Sequence, residues 1–324
     1  MRRHLTTGGL GVARRRAISL GLAVGTGLAL GGTPPRFSLA QATPGASPAA
    51  GDDYAHTEML IDAAGVAERR GDRNVVVVGF MAAEEFAKRH IPGAVQLDWP
   101  ALEVIDTSNE SIASWRERCG QTLASLGITP DRTVIAYDAG TLFAARLWWV
   151  LHYLGGENIH VLNGGLSAWQ QAGGEVTSGT AEATTTDAAV RDGGRWSPRP
   201  DALAQLDEVR SRLDDPNVAI VDARTPEEYV QGHIPGAVSV NYPANALSEA
   251  PKLWKPAREL RTMYEEAGLT PDQWVIPYCV SGVRSAVTFF TLRLIGYEDV
   301  GLYTGSWQEW SARPDLPKVS GNQP

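Results

Sequence analysis

Residues 74–99, NVVVVGFMAAEEFAKRHIPGAVQLDW, and residues 217–242, NVAIVDARTPEEYVQGHIPGAVSVNY, repeat one another. They are identical at 11 of 26 positions without a gap, at a shift of 143 residues. Further along, the motif of residues 129–138 recurs at residues 270–279 with a shift of 141. Self-similarity at two places with nearly the same spacing indicates that the chain contains two copies of one folding unit.

Short apolar runs alternate with helical stretches in each copy. The runs at residues 75–78 and 219–221 are typical of central buried strands, and those at residues 134–137 and 275–278 precede loops that lead into helices. This alternation is typical of parallel sheets with helices packed on them. We therefore predict an α/β fold with two domains, each a parallel sheet flanked by helices on both faces.

The first 42 residues have the features of an export signal. Arg14-Arg15-Arg16 precede a Gly-rich apolar stretch, and Ala40-Gln41-Ala42 form a small-x-small cleavage site. The arginine run is compatible with a twin-arginine (Tat) signal, and the Sec route stays open. The cleavage site predicts that the segment is removed after Ala42. Because the apolar stretch is shorter than the ~20 residues of a membrane span, we expect no membrane anchor. The expected product is an exported, periplasmic or extracytoplasmic protein without a membrane anchor.

The remaining chain is predicted to divide at segments that lack apolar periodicity and are rich in Gly, Ala, Ser and Thr. The predicted parts are a flexible lead-in at residues 43–53, an N-terminal domain at 54–176, a linker at 177–195, a C-terminal domain at 196–318 and a tail at 319–324.

The charge and the cysteine content exclude some classes of function. The net charge is −8, and it becomes −14 without the export signal, since that segment carries six arginines and no acidic residue. Such a protein is not suited to bind nucleic acid or an anionic membrane. The two cysteines, Cys119 and Cys279, fall in different halves, so no disulfide scaffold is expected. We expect a monomer.

Cys279 ends an apolar run and is followed by a short loop and a helix-like stretch at residues 286–294. At such a position, loop N–H groups and the helix dipole stabilise an anion. A thiol held there should have a lowered pKa and be nucleophilic; an inert cysteine packed as a small hydrophobe is the alternative. The predicted anion-binding residues are Val280, Ser281, Gly282, Val283, Arg284 and Ser285.

The length of this loop bears on its target. Four residues lie between Cys279 and Arg284, one fewer than a cysteine phosphatase needs to surround a phosphate. A smaller anion, such as the terminal sulfur of a persulfide, suits a ring of this size.

Taken together, the motifs resemble the tandem-domain rhodaneses, a sulfurtransferase family, over nearly all of the chain after the export signal. The resemblance is carried by Asp222-Ala223-Arg224, Glu227-Glu228-Tyr229, Gly232-His233-Ile234-Pro235-Gly236-Ala237 and the Cys-x-x-Gly-x-Arg loop at Cys279. It implies a catalytic C-terminal domain and an inactive N-terminal copy. Asp138 stands at the position that matches Cys279, and a carboxylate cannot carry sulfane sulfur. We interpret Asp138 as a helix N-cap.

The resemblance also implies a double displacement through a Cys279 persulfide, with thiosulfate as donor, cyanide or a thiol as acceptor, and no cofactor or metal. Arg284 is expected either to face the donor or to brace the loop, and Asp222 and Arg224 to form a polar brace. Glu228 stands where mercaptopyruvate-using relatives and mitochondrial-type thiosulfate enzymes carry a second arginine. The loop also has Val280 and Arg284 where mercaptopyruvate enzymes carry Gly and Thr, so the resemblance disfavours a donor with a carboxylate and favours thiosulfate. Turnover of 3-mercaptopyruvate or a protein persulfide, and a non-catalytic binding protein of this fold, are the alternatives.

Overall fold

The computed structural model describes residues 53–181 and 196–324. The predicted export signal, residues 43–52 of the lead-in and residues 182–195 of the linker lie outside the described residues. In the described ranges, none of the helices combines the length and the apolar character that crossing a membrane requires.

Apart from its first and last strands, the helices and strands of the first copy recur in the same order in the second. The strands are β1 (Leu60–Ile61), β2 (Val75–Phe80), β3 (Val95–Leu97), β4 (Thr133–Tyr137), β5 (Ile159–Leu162), β6 (Val218–Asp222), β7 (Val238–Ser239) and β8 (Trp274–Tyr278). The helices of the first copy are α1 (Ala63–Arg69), α2 (Ala83–Lys88), α3 (Asn109–Ser125), α4 (Ala144–Leu154) and α5 (Gly165–Gln171). Those of the second copy are α6 (Leu206–Ser211), α7 (Pro226–Gln231), α8 (Ala257–Glu266), α9 (Val283–Ile295) and α10 (Ser306–Ala312).

Both sheets are parallel. The first has the order β1-β5-β4-β2-β3, with β2 and β4 at its centre. The second has the order β7-β6-β8, and single parallel bridges, Val275–Val300 and Leu203–Leu302, continue it beyond β8. These bridges lie where the first sheet has β5 and β1. The prediction of two parallel sheets with flanking helices is confirmed.

Alternating side chains place an apolar core on each face of each sheet. In β2, Val76 and Val78 face the core shared by the two copies, whereas Val77 faces the outer core of the first copy. In β8, Val275 faces the shared core and Ile276 the outer core of the second copy. Because successive strand residues point to opposite faces, an unbroken apolar run is the pattern of a strand covered on both sides.

The shared core is built around α4 and α9, which pack against each other. The ring of Trp148 meets that of Phe290 edge-on, with ring centroids 5.1 Å apart. The neighbouring Trp149 donates a hydrogen bond from Nε1 to the carbonyl of Ala202 at 2.9 Å. Helix α4 begins directly after the loop at Asp138, and α9 begins directly after the matching loop at Cys279. The packing of the two helices therefore brings both loops to the boundary between the copies.

The repeated His-Ile-Pro-Gly motif forms the same corner twice. His90 lies 3.9 Å from the ring of Phe86 and His233 lies 3.8 Å from the ring of Tyr229, each pair stacked. Each histidine Nδ1 also forms a hydrogen bond with the carbonyl of that aromatic residue. Because the first copy, with Asp138 in place of the loop cysteine, has the same arrangement, this motif shapes the fold.

Candidate active site

Cys279 follows β8 and lies just before the N-terminus of α9. Its Sγ accepts hydrogen bonds from the backbone N–H of Gly282 at 3.2 Å and from Ser285 Oγ at 3.5 Å. Its backbone N–H donates to Ser306 Oγ at 3.1 Å, and its carbonyl accepts from the N–H of Trp307 at 3.1 Å. The loop and α9 therefore hold the sulfur of Cys279, and α10 holds its backbone.

The loop residues differ in exposure. Val280 and Ser281 are half-buried, so the sulfur lies just beneath the surface, whereas Val283 and Ser285 are buried. Gly282 has a φ of +84°, and a Cβ built on it would lie 3.1 Å from the Cα and the carbonyl oxygen of Thr304. Both the left-handed backbone and the crowding require glycine at this position.

The surroundings of Cys279 favour its thiolate. Burial opposes ionisation of the thiol, but hydrogen bonds from Ser285 and Ser281 and the charge of Arg284 outweigh it and lower the pKa of Cys279. The other cysteine behaves in the opposite way, because burial in α3 raises the pKa of Cys119 to about 12. At neutral pH, Cys279 is thus the better nucleophile of the two free cysteines.

The matched loop of the first copy holds the side chain of Asp138. Asp138 accepts hydrogen bonds from the backbone N–H groups of Gly140 at 2.6 Å, Thr141 at 2.8 Å and Ala144 at 2.9 Å. The prediction that Asp138 is the helix N-cap is wrong, because Phe143 holds that position without a side-chain cap. The Asp138 carboxylate instead lies inside the loop, so a loop of this construction directs its N–H groups at an anion.

Arg284 forms a two-point ion pair with Glu228. The guanidinium donates from Nη1 to Oε2 at 2.7 Å and from Nη2 to Oε1 at 2.9 Å, which connects α9 to α7. Hydrogen bonds from Arg284 lower the pKa of Glu228 to about 2. The residue that replaces the expected second arginine is therefore the partner of the loop arginine. The contact of Arg284 with a donor stays a prediction.

Asp222 and Arg224 form a buried pair at the end of β6. Arg224 Nη2 donates to Asp222 Oδ2 and to the carbonyl of Gly232, both at 2.6 Å. Tyr278, the residue before Cys279, donates its hydroxyl to Asp222 Oδ2 at 2.6 Å and accepts from the N–H of Ile234 at 3.2 Å. This network holds β8 in place directly before the cysteine.

Two residues near the cysteine were absent from the predicted site. Ser306 has a φ of 55°, and its hydroxyl accepts from Cys279 and donates to the carbonyl of Tyr303 at 2.8 Å. The matching residue of the first copy is Gly165, with a φ of 56°. When the two copies are aligned, serine stands where the first copy has glycine, and this difference could have indicated Ser306 as a site residue. The other residue is Arg146, a charged side chain within the apolar helix α4.

An open cavity of about 540 Å³ lies where the two copies meet. Its lining includes Thr141 and Leu142 from the Asp138 loop, and Tyr242, Lys252 and Lys255 from the second copy. Burial raises the pKa of Tyr242, and the charges of Arg284 and Cys279 also act on this hydroxyl. The cavity is therefore close to the cysteine loop, and both of its lysines are half-buried.

Comparison with known proteins identifies the family. The Rhodanese-like domain family matches residues 62–172 and 205–313, within the predicted domains, whose bounds stay a prediction. A thiosulfate sulfurtransferase of Azotobacter vinelandii is 30% identical over 275 residues, covering 82% of this chain and 98% of that protein. A 3-mercaptopyruvate sulfurtransferase of Escherichia coli is 32% identical over 273 residues, covering 80% and 91% respectively.

A solved structure has the same arrangement of domains. The anaerobic ergothioneine biosynthesis enzyme from Chlorobium limicola, in complex with trimethyl histidine, superposes with a TM-score of 0.70 at 25% sequence identity. The match covers 82% of this chain and 70% of that one. The resemblance seen in the motifs is thus confirmed, and the chain belongs to the rhodanese family as a member with two Rhodanese-like domains.

Proposed function

We propose that this protein is a sulfurtransferase that moves sulfane sulfur from thiosulfate to cyanide or a thiol through a persulfide on Cys279. The observation that carries the proposal is the position of Cys279 Sγ, which accepts a loop N–H at 3.2 Å. In the matched loop, the Asp138 carboxylate accepts three such N–H groups. The second copy thus offers an anion site with a nucleophile in it.

The two displacements need no oxidant or reductant. The Cys279 thiolate attacks the outer sulfur of thiosulfate, a bond forms between the two sulfurs, and sulfite leaves with the electron pair of the broken S–S bond. The acceptor then attacks the outer sulfur of the persulfide, and the electron pair returns to Cys279 as a thiolate. Cyanide leaves as thiocyanate, and a thiolate acceptor leaves as a persulfide. The cysteine site is anionic before and after each transfer.

The loop and its braces supply the electrostatics of this cycle. The N–H of Gly282 and the hydroxyl of Ser285 reach Sγ directly. Arg284 is close enough for its charge to lower the pKa of Cys279, while Glu228 fixes its guanidinium. Donor groups set in advance around a developing anion cost no reorganisation when the charge arrives.

We infer that the donor enters through the cavity between the two copies. Lys252 and Lys255 give the cavity positive charge, which raises the local concentration of a dianion such as thiosulfate. Tyr242, on the wall of the cavity, lies within electrostatic range of Cys279.

3-Mercaptopyruvate is the second candidate donor, because the E. coli relative is named for that substrate. Its carboxylate would need a cation near the cysteine. Glu228 places a carboxylate there and already occupies Arg284 with two hydrogen bonds. This arrangement supports thiosulfate as the better donor.

The decisive experiment is incubation of the purified protein with thiosulfate, followed by intact mass measurement. We expect a gain of one sulfur atom in the wild type and in Cys119→Ser, and none in Cys279→Ser. An unchanged wild-type mass would refute sulfur transfer from thiosulfate and favour a binding protein of this fold. Steady-state rates with both donors then separate them, and a strong preference for 3-mercaptopyruvate would refute the donor assignment.

We also propose that the mature protein is exported and works as a monomer. The export signal predicted in residues 1–42 supports the first proposal, and the packing of two copies within one chain supports the second. Cell fractionation and N-terminal sequencing should place the protein outside the cytoplasm with residue 43 first. Light scattering should give the mass of one chain.

A further inference from the structure

Arg146 is a buried cation without an anionic partner in the described part of the chain. It lies in the first turn of α4 and is 1% exposed. Its Nη2 donates to the carbonyl of Leu102 at 2.9 Å, and its guanidinium carbon lies 4.6 Å from the centre of the Trp149 ring. Its Nε and Nη1 have no hydrogen-bond partner among residues 53–181 and 196–324. Burying an uncompensated charge is costly, so the retention of this one calls for an anion.

The unpartnered side of the guanidinium faces the cysteine loop. A Cβ built on Gly282 would lie 3.2 Å from Arg146 Nη1. Gly282 is the residue whose N–H donates to Cys279 Sγ. Arg146 therefore approaches the loop from the first copy.

Of the two thiols whose charge would act on Arg146, Cys279 is the one that ionises more readily. Burial lowers the pKa of Arg146 to about 10, so it stays charged at neutral pH, and Cys119, Cys279 and Glu103 oppose that shift. Cys119 stays neutral because burial raises its pKa to about 12. Glu103, at the end of a short turn, forms no ion pair with Arg146 among the described residues.

The groups that face Cys279 come from three elements. Arg284 comes from α9 itself and is paired with Glu228. Tyr242 comes from the turn at Tyr242–Asn245, and burial raises its pKa, so it stays neutral. Arg146 comes from α4 and, unlike Arg284, forms no ion pair with a carboxylate of residues 53–181 and 196–324.

We propose that Arg146, which belongs to the copy with Asp138 in place of the loop cysteine, is a positioning residue whose buried charge stabilises the anionic forms of Cys279 across the Gly282 loop. It exchanges no proton and forms no bond with the donor. The part that concerns the persulfide rests on the proposed function, whereas the part that concerns the thiolate stands without it. The first copy would then supply the active site with charge although it carries no nucleophile.

The test is the pH dependence of iodoacetamide alkylation at Cys279 in Arg146→Met and Arg146→Lys. Mass spectrometry identifies the modified residue, and Arg118→Met, an exposed arginine on α3, controls for the loss of one positive charge. We expect Arg146→Met to raise the pKa of Cys279 by about one unit or more, so that alkylation below that pKa slows about tenfold. Arg146→Lys should shift it less, and Arg118→Met should leave it unchanged.

A folded Arg146→Met protein with the wild-type pKa at Cys279 would overturn the proposal, because a merely structural arginine affects stability and not that titration. Circular dichroism establishes folding, and Arg146→Gln, which keeps a donor for Leu102, replaces Arg146→Met if the latter does not fold. If neither folds, wild type is compared with Cys279→Ser. Its stability relative to that variant should increase as the pH rises through the thiol's pKa, since a lowered folded pKa stabilises the ionised form. Identical pH profiles would overturn the proposal.

These outcomes separate the two proposals. If wild type gains no sulfur from thiosulfate but Arg146→Met raises the pKa of Cys279, the proposed function fails and the role of Arg146 stands. If wild type gains sulfur and the pKa is unaffected, the proposed function stands and the role of Arg146 fails.

Discussion

Arg284 donates two hydrogen bonds to the carboxylate of Glu228, at 2.7 and 2.9 Å, and so ties the first turn of the helix after the cysteine to α7. Glu228 also accepts the N–H of Thr225 at 2.9 Å in a capping box. The carboxylate thus completes the N-terminal cap of α7 and also forms the ion pair with Arg284. Planar two-point pairing of this kind fixes the direction of a guanidinium as well as its position.

Glu228→Gln should lower the free energy of unfolding, by an amount that depends on pH. The pKa of this carboxyl falls to about 2 in the folded protein, from about 4.3 in an unfolded chain. The ionised form therefore stabilises the fold above pH ~4.3, and this contribution is lost as the pH falls toward 2. Because the side chain is 34% exposed, we expect a loss of about 1 kcal/mol or less at pH 7.

Urea unfolding of wild type and Glu228→Gln over a pH series measures this effect. Glu227→Gln, the exposed neighbour in the same helix turn, is the matched control and should change stability by a few tenths of a kcal/mol at most. A Glu228→Gln deficit that stays constant down to pH 2 would contradict the assignment.

Tyr278→Phe should destabilise the protein more than Tyr137→Phe. The two tyrosines match in the repeat, and each hydroxyl accepts a backbone N–H, from Ile234 and Ile91 respectively. Tyr278 in addition donates to Asp222, whereas glycine stands at the Asp222 position of the first copy. Because Tyr278→Phe removes one more buried hydrogen bond, and that bond is to a charged group, we expect about 2 kcal/mol for Tyr278→Phe and about 1 kcal/mol for Tyr137→Phe. Equal losses in urea unfolding would argue against the buried network.

Asp138→Asn should be costly although the two side chains have the same shape. Asparagine offers one acceptor oxygen and turns an NH₂ group toward backbone donors, whereas Asp138 accepts three N–H groups. We expect a loss of about 2 kcal/mol. The control is Asp62→Asn, since Asp62 accepts only Gly65 N–H at an exposed N-cap, where asparagine serves equally well. If both substitutions prove harmless by thermal unfolding, the Asp138 loop does not depend on an anion.

Replacing Lys252 and Lys255 by alanine should raise KM for thiosulfate several-fold and change kcat little. Their charges line the cavity and act before the chemical step, so the defect should shrink as salt is added. The control is Lys88→Ala with Lys318→Ala, which removes the same charge from exposed sites elsewhere. An unchanged KM at low salt would show that the donor enters by another route.

The repeat made the fold and the position of Cys279 predictable. Because two copies of one unit can be aligned, each strand has an internal reference, and the thiol stands out against Asp138 at the same position. Asp138 itself was assigned to the wrong place: it lies six residues before Ala144, and only the path of the loop brings the carboxylate back to that N–H. Sequence rules place an N-cap residue directly before the first turn of its helix. They do not describe a carboxylate that a longer loop folds back onto the first N–H group of the helix.

Arg146 and Ser306 were not predicted, for different reasons. The apolar character around Arg146 predicts a helix buried on all sides, but no periodicity tells which neighbour each side meets. The contact of Arg146 with the Gly282 loop depends on how the two copies pack. Ser306 lies in a left-handed backbone that its residue type does not favour, and that strain becomes visible only in the backbone angles.

The packing of α4 on α9 makes each of the two copies depend on the other for its folding. Of the 13 residues of α9, 11 are buried, so this helix has almost no face for water. A C-terminal domain cut free from its partner would expose Phe290 and its apolar neighbours, a surface that favours aggregation. Mutation could remove the thiol from one copy at little cost to folding, but it could not delete the copy. The two Rhodanese-like domains therefore share one core, and we expect neither of them to be stable as a separate domain.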